Sequence, residues 1–156
     1  MIKIPIPGIP TIEIEHLVLD FNGTLAFDGK ILSGVKEILH DLSQNLQIHV
    51  ITADTFGKAA EELTGVECML KILETDNHTA EKAAYVEKLG SPYTVAVGNG
   101  RNDADMLKTA AVGIAVMQAE GLSGIAMQNA DIVTATIIDA LNLLRNPMRM
   151  VATLRK

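Results

Sequence analysis

The chain has 156 residues, 48% of them apolar and 21% charged, which is long enough to bury a core of its own and ordinary for a globular protein. A net charge of −6 and an aromatic content of 3% argue against a grip on the phosphate backbone of a nucleic acid and against stacking of bases on aromatic platforms. Cys68 is alone, no apolar run reaches the ~18 residues needed to span a bilayer, and no basic-then-apolar leader precedes the first proline. No intrachain disulfide, nucleic-acid partner or membrane partner is therefore expected, and the expected location is cytoplasmic.

The opening stretch MIKIPIPGIPTIEIEHLVLD alternates apolar and polar residues on both sides of Pro-Gly-Ile-Pro. It predicts two short strands around a turn, with prolines that suit an edge. Strand-like apolar runs follow at Leu17–Leu19, Ile48–Ile51, Met69–Leu73, Thr94–Val97, Val112–Val116 and Asp131–Val133. Helical periodicity falls between most of them, at Gly34–Leu42, Phe56–Leu63, Thr79–Leu89, Asp103–Thr109 and, more weakly, Glu120–Gln128. A longer helical pattern from Ile137 is interrupted at Pro147. Regular alternation of strand and helix predicts a single α/β domain over residues 1–156. Its mostly parallel sheet would be covered by helices on both faces, a three-layer Rossmann-like sandwich. The stretch LAFDGKIL breaks the alternation, and its Asp28-Gly29 predicts a hairpin over Leu25–Leu32, directly after Thr24.

In an open α/β sheet, ligands bind at the carboxyl ends of the strands, so the residues after each apolar run matter most. Asp20 ends the first, in DFNGTL. Thr52, Ala53 and Asp54 end the second, and GNGRND, with Asn99, Asn102 and Asp103, ends the fourth. Asp, Asn and Gly are common turn residues, and one such set would mean only a turn or a helix cap. Three sets delivered to one edge predict a site. Lys82 joins them from the helix that Asp76 and Asn77 open and Gly90 closes. It shares the apolar stripe of Val86 and Leu89, near a helix N-terminus where the macrodipole disfavours a cation. A snorkelling lysine is the plain alternative. Beside the carboxylates, an anion to neutralise is the better reading, and Lys82 is expected to matter for binding rather than for stability.

Asp20 and Asp103 with oxygen-rich neighbours suit Mg²⁺, a hard cation that binds through one or two carboxylates and keeps some waters. Thr52, Lys82 and Asn102 would then hold phosphate oxygens. The four histidines are scattered and no cysteine pair exists, so zinc is not expected, and His49 inside a strand reads as structural. Neither G-x-x-x-x-G-K-[ST] nor G-x-G-x-x-G is present.

Taken together these residues resemble the haloacid dehalogenase-like (HAD) superfamily. DFNGTL resembles its first motif, VITAD its second, Lys82 its third and GNGRND its fourth. The likeness is strongest to the phosphorylation domain of P-type ATPases, whose motifs read D-K-T-G-T, T-G-D and G-D-G-x-N-D. AAVGIAV and NADIVT are also similar to that family after its metal loop. The resemblance implies a HAD-like fold without a large cap domain, and Asp20 as a nucleophile that forms an aspartyl phosphate. It implies catalytic roles for Asp20, Asn22, Thr52, Lys82, Asn102 and Asp103, and phosphate binding by Thr52, Ala53, Lys82 and Asn102. Mg²⁺ would be held by Asp20, the main-chain carbonyl of Asn22, Asn99 and Asp103. Three positions depart from the pattern: Asn22 stands where HAD phosphatases carry an acid/base Asp, Asn99 where the metal loop has Asp, and Ala53 where T-G-D has Gly.

The expected activity is Mg²⁺-dependent hydrolysis of a small phosphorylated molecule, slowed by Asn22. The alternative is a low-turnover phosphate-sensing module. A response-regulator receiver would need an acidic pair near the phosphorylated Asp, and EIEHLVLD supplies only Glu15. Only 27 residues separate Thr24 from Thr52, which leaves no room for a nucleotide-binding insertion or a selecting cap. Self-association is the expected cover for the apolar hairpin.

Overall fold

The structure is a computed structural model that describes residues 1–54 and 57–156. Its centre is a six-stranded parallel sheet in the order β10-β9-β8-β3-β6-β7. These strands are β3 (His16–Asp20), β6 (Gln47–Thr52), β7 (Met69–Ile72), β8 (Thr94–Gly98), β9 (Val112–Val116) and β10 (Ile132–Thr134). β3, β8 and β9 lie inside the sheet and are buried almost throughout, which is why their sequences are continuous apolar runs rather than alternations.

Both faces are covered. Leu17 and Leu19 of β3, Val95 and Val97 of β8, and Val112, Ile114 and Val116 of β9 point into one core. That core is closed by α1 (Val35–Ser43), α6 (Ile137–Arg145) and α7 (Pro147–Leu154). Val18, Ile51, Ala96 and Ala115 point into the other, beneath α3 (His78–Leu89), α4 (Ala104–Thr109) and α5 (Gly124–Asn129). Small residues on β8 and β9, namely Ala96, Gly113 and Ala115, let α4 sit close to this face. A Cβ on Gly113 would collide with the Leu107 backbone. Each fully buried Leu, Ile or Val contributes about 1.5–3 kcal/mol relative to exposure, so both layers are firmly seated.

The helix boundaries follow their caps. Asn77 accepts the Ala80 N–H to open α3, and Gly90 closes it at φ 101°. Thr136 caps α6 through the Asp139 N–H, and Pro147 takes the first position of α7, where its missing N–H costs nothing. The opening residues form a separate antiparallel pair, β1 (Ile2–Ile4) and β2 (Ile12–Ile14), rather than an edge of the main sheet. The hairpin forms as β4 (Ala26–Phe27) and β5 (Lys30–Ile31), with Asp28 and Gly29 both at positive φ, as a tight two-residue turn demands.

Several predicted boundaries shift by a residue, and three differences bear on the site. Helix α2 covers only Ala59–Glu62 of the expected Phe56–Leu63, whose first residue lies outside the described residues. Asp103 ends a 3-10 turn, Arg101–Asp103, and α4 begins after it. The weak helix expected from Glu120 begins at Gly124 instead. Residues 118–121 are drawn off by hydrogen bonds to other loops: Gln118 to Gly23, Glu120 to Asp28 and Gly121 to Asn99.

Candidate active site

Parallel strands place their carboxyl ends on one edge. β3 and β6 pair with Asp20 opposite Ile51, so Thr52 lies one step beyond Asp20 on the adjacent strand. On the other side of β3, β8 ends at Gly98 and hands the chain to Asn99 and the Asp103 turn. The three sequence-predicted sets thus come from three neighbouring strands.

Lys82 crosses from α3 to join them. Its Nζ donates to Asp20 Oδ1 at 2.5 Å and to Asp103 Oδ1 at 2.6 Å. Lys82 and Asp103 are 0% exposed and Asp20 is 7% exposed. Two carboxylates and one ammonium are therefore held largely out of water, and each remaining carboxylate oxygen has a donor nearby. Asp103 Oδ2 accepts the Asn99 and Gly100 N–H groups at 3.0 and 2.8 Å. The Thr24 hydroxyl lies 3.1 Å from Asp20 Oδ2 and 3.2 Å from Asn99 Oδ1, and Asn99 Nδ2 donates to the Gly121 carbonyl at 3.0 Å. Gly23 makes this approach possible: its φ is +81°, and a Cβ there would strike the Asn99 amide.

Burial, and then the Asp103 charge, push Asp20 from 3.8 to about 6 despite the pull of Lys82. Burial alone would push the Lys82 ammonium down, but the Asp20 and Asp103 carboxylates outweigh it and hold it above its usual value. Full burial argues that Lys82 bears on stability as well as on the expected binding, since removing it would leave two buried carboxylates without their cation.

Thr52 is buried, and its Oγ1 accepts the Asp54 N–H at 2.9 Å, which leaves the hydroxyl proton available to another acceptor. The Asp54 carboxylate is engaged by the following turn: its Oδ1 accepts the Lys58 and Ala59 N–H groups, both at 3.0 Å. Asn102 is half-buried in the turn beside Asp103 and takes no part in the bonded cluster among the described residues. The oxygen of the Asn22 amide is buried and has no hydrogen-bond partner among the described residues.

Among the described residues, no group of three or more His, Cys, Asp or Glu side chains gathers as a metal centre. The donors at this edge are instead two carboxylates plus amide oxygens, with the Asn22 oxygen unpartnered. That set fits a hard, oxygen-seeking cation and no soft one. His49 is elsewhere: it lies 3.2 Å from His16 Nδ1 and 3.0 Å from the Tyr85 hydroxyl, and burial, then His16, lower it to about 4. Cys68 is half-buried against the core, and burial pushes its thiol up. The residue the sequence reading missed is Gln118, whose amide reaches the Asp20 loop. It follows a fully apolar strand at the same edge, and the rule applied to the other strands would have found it.

The architecture is a HAD-like α/β fold, with no large cap among the described residues. No family model matches the chain. Two uncharacterized proteins of Methanocaldococcus jannaschii are similar to it. One is 51% identical over 39 residues, 25% of this chain and 89% of that protein. The other is 46% identical over 61 residues, 39% of this chain and 66% of that protein. Among solved structures, 3-deoxy-D-manno-octulosonate 8-phosphate phosphatase from Moraxella catarrhalis, in complex with magnesium ion, phosphate ion and KDO, superposes with a TM-score of 0.68. The identity is 16%, over 91% of this chain and 94% of that one. The cobalt-bound form of the Haemophilus influenzae phosphatase gives 0.71 at 12% identity, over 92% and 94%. A zinc-transporting PIB-type ATPase gives 0.60 at 22% identity, over 78% of this chain and 20% of that one. Among the described residues no helix is long and apolar enough to cross a membrane.

Proposed function

We propose that this chain is a divalent-cation-dependent phosphohydrolase, working as one cytoplasmic domain on a small phosphorylated molecule. The observation that carries this is Lys82, fully buried with its ammonium between Asp20 and Asp103 at the ligand-binding edge of the sheet. A stability role alone would be better served by an apolar side chain, because a buried ion pair rarely repays its desolvation. A cation placed against the macrodipole of its own helix fits an incoming phosphoryl group.

In the proposed reaction an Asp20 oxygen bonds to phosphorus while the bond to the leaving oxygen breaks. Water then cleaves the aspartyl phosphate, releasing phosphate and restoring the carboxylate. Thr52 donates its hydroxyl proton to a phosphoryl oxygen, aided by the Ala53 N–H and the Asn102 amide, while Lys82 balances charge. Asp20, the Asn22 main-chain carbonyl, Asn99 and Asp103 would hold Mg²⁺, which supplies charge neutralisation when bound. Asn22 can orient a water but cannot take its proton, so turnover is slow. That substitution also supports the second reading, a phosphate-sensing module, in which the aspartyl phosphate is long-lived. Phe27, 42% exposed on the hairpin, is where a second copy would cover the open edge.

The test is phosphate release across a panel of phosphorylated metabolites, with and without Mg²⁺. Turnover that needs Mg²⁺ and is absent in Asp20→Asn is expected. A substrate hydrolysed equally by both proteins would refute the nucleophile. An acyl-phosphate burst with negligible steady-state release would favour the sensing module.

A further inference from the structure

We infer that Gln118 is a positioning residue that straps the Asp20 loop to the start of α6; this rests on the function proposed above. The loop folds on itself: the N–H groups of Thr24, Leu25 and Ala26 all donate to the Phe21 carbonyl, and the Gly23 N–H donates to Ala26. These short-range bonds make a compact turn, but they do not tie the turn to the rest of the molecule. The Gly23 and Thr24 carbonyls do. Both are taken by Gln118 Nε2, at 3.1 and 2.8 Å, while its Oε1 accepts the Ile137 N–H at 2.8 Å.

All the main polar functions of the amide are thereby used, and the partners set its orientation, since an N–H can only donate and these two carbonyls can only accept. Ile137 N–H is one of the orphan donors that open α6, and Ile137 itself is fully buried, so the far end of the strap is fixed. The near end matters for chemistry because the Thr24 hydroxyl is within reach of both Asp20 Oδ2 and Asn99 Oδ1. Tilting Thr24 displaces that hydroxyl from both acceptors. The same segment also holds Asn99, through Gly121 and through the Ser123 N–H on the Asn99 carbonyl at 2.8 Å. The stretch after β9 therefore sets the separation between the nucleophile loop and the Asn99 loop, although it carries none of the residues assigned to the reaction.

Gln118→Glu tests the strap. At neutral pH it sets a carboxylate oxygen against two carbonyls; when protonated at low pH it regains one donor. The expected result is a folded protein whose kcat falls by about 10- to 100-fold with KM little changed, as a small misplacement of a reacting group produces. Relative to wild type, part of that loss should return toward pH 5. Independently of turnover, ¹⁵N relaxation should show the Gly23, Thr24 and Asn99 amides becoming mobile in the variant at neutral pH. Unchanged loop amides would overturn the inference, as would activity falling only in proportion to the folded fraction. If wild type releases no phosphate from any substrate, the proposed function falls, and the relaxation data still decide the strap. If Gln118→Glu and the neutral Gln118→Met both fail to fold, Gln118 serves overall stability and the inference is overturned.

Discussion

Replacing Lys82 by Met keeps the buried stem and removes only the charge that holds Asp20 and Asp103 together. Both carboxylates are buried and each gives one oxygen to the ammonium, at 2.5 and 2.6 Å, so the variant leaves two like charges facing each other out of water. Breaking a buried ion pair from one side costs about 3–5 kcal/mol. The protein can limit that loss by protonating a carboxyl, and Asp20, already raised to about 6, is the group that does so. The sign follows from proton counting. In wild type the folded-state value of about 6 lies above the unfolded value of 3.8, so ionised Asp20 lowers stability as pH rises through that window, and the effect is complete above it. Without Lys82 the folded value rises further, so above about pH 6 the native variant keeps a proton that native wild type has lost. The stability gap between the two proteins should then widen with pH, approaching about 1.4 kcal/mol per pH unit. Urea denaturation of both proteins from pH 5 to pH 8 measures it. Equal stability at neutral pH would show that the ammonium does not pair with the carboxylates. A constant gap would show that their mutual repulsion is not what the lysine offsets.

Other substitutions probe the same cluster and its surroundings. Asp20→Asn should abolish phosphate release while the Tm holds or rises, because a neutral amide removes a costly buried charge; differential scanning calorimetry showing a clear drop would contradict this. Asn22→Asp should raise steady-state release by a factor within the ~10²–10⁴ that general acid–base catalysis contributes. A flat result with no burst in wild type would leave only the Asn22 carbonyl with a role. His49, lowered to about 4 from 6.5, is neutral in the native protein, so its contribution to stability is complete above pH 6.5 and lost as pH falls toward 4. An NMR titration of its ring with a midpoint near the ordinary value would refute the packing of a buried His49 between His16 and Tyr85.

Local pattern was enough for the strands, for most helices and for the edge on which the candidate site lies. Fully buried parallel strands read as apolar runs because both their faces are covered, and the polar residue after each run can only sit at the rim. Asp20, Thr52 and Asn99 were legible for that reason, and the hairpin was legible because Asp28-Gly29 supplies the two positive φ angles its turn needs. Lys82 was legible as an inward-facing lysine, but not as one without water around it. Burial depends on what the neighbouring layers contribute, and periodicity along one helix does not report that. The start of α5 was misplaced because the propensity of residues 120–123 is outweighed by hydrogen bonds to a loop far earlier in the chain and to Asn99. Gln118 could have been read as a rim residue, but its partners could not. Its side chain joins Gly23 and Thr24 to Ile137, three segments brought together only by the crossing of β3, β9 and α6. Sequence alone decided which residues reach the rim of the sheet; which of them touch, and which loops they hold still, was decided by the packing of layers around it.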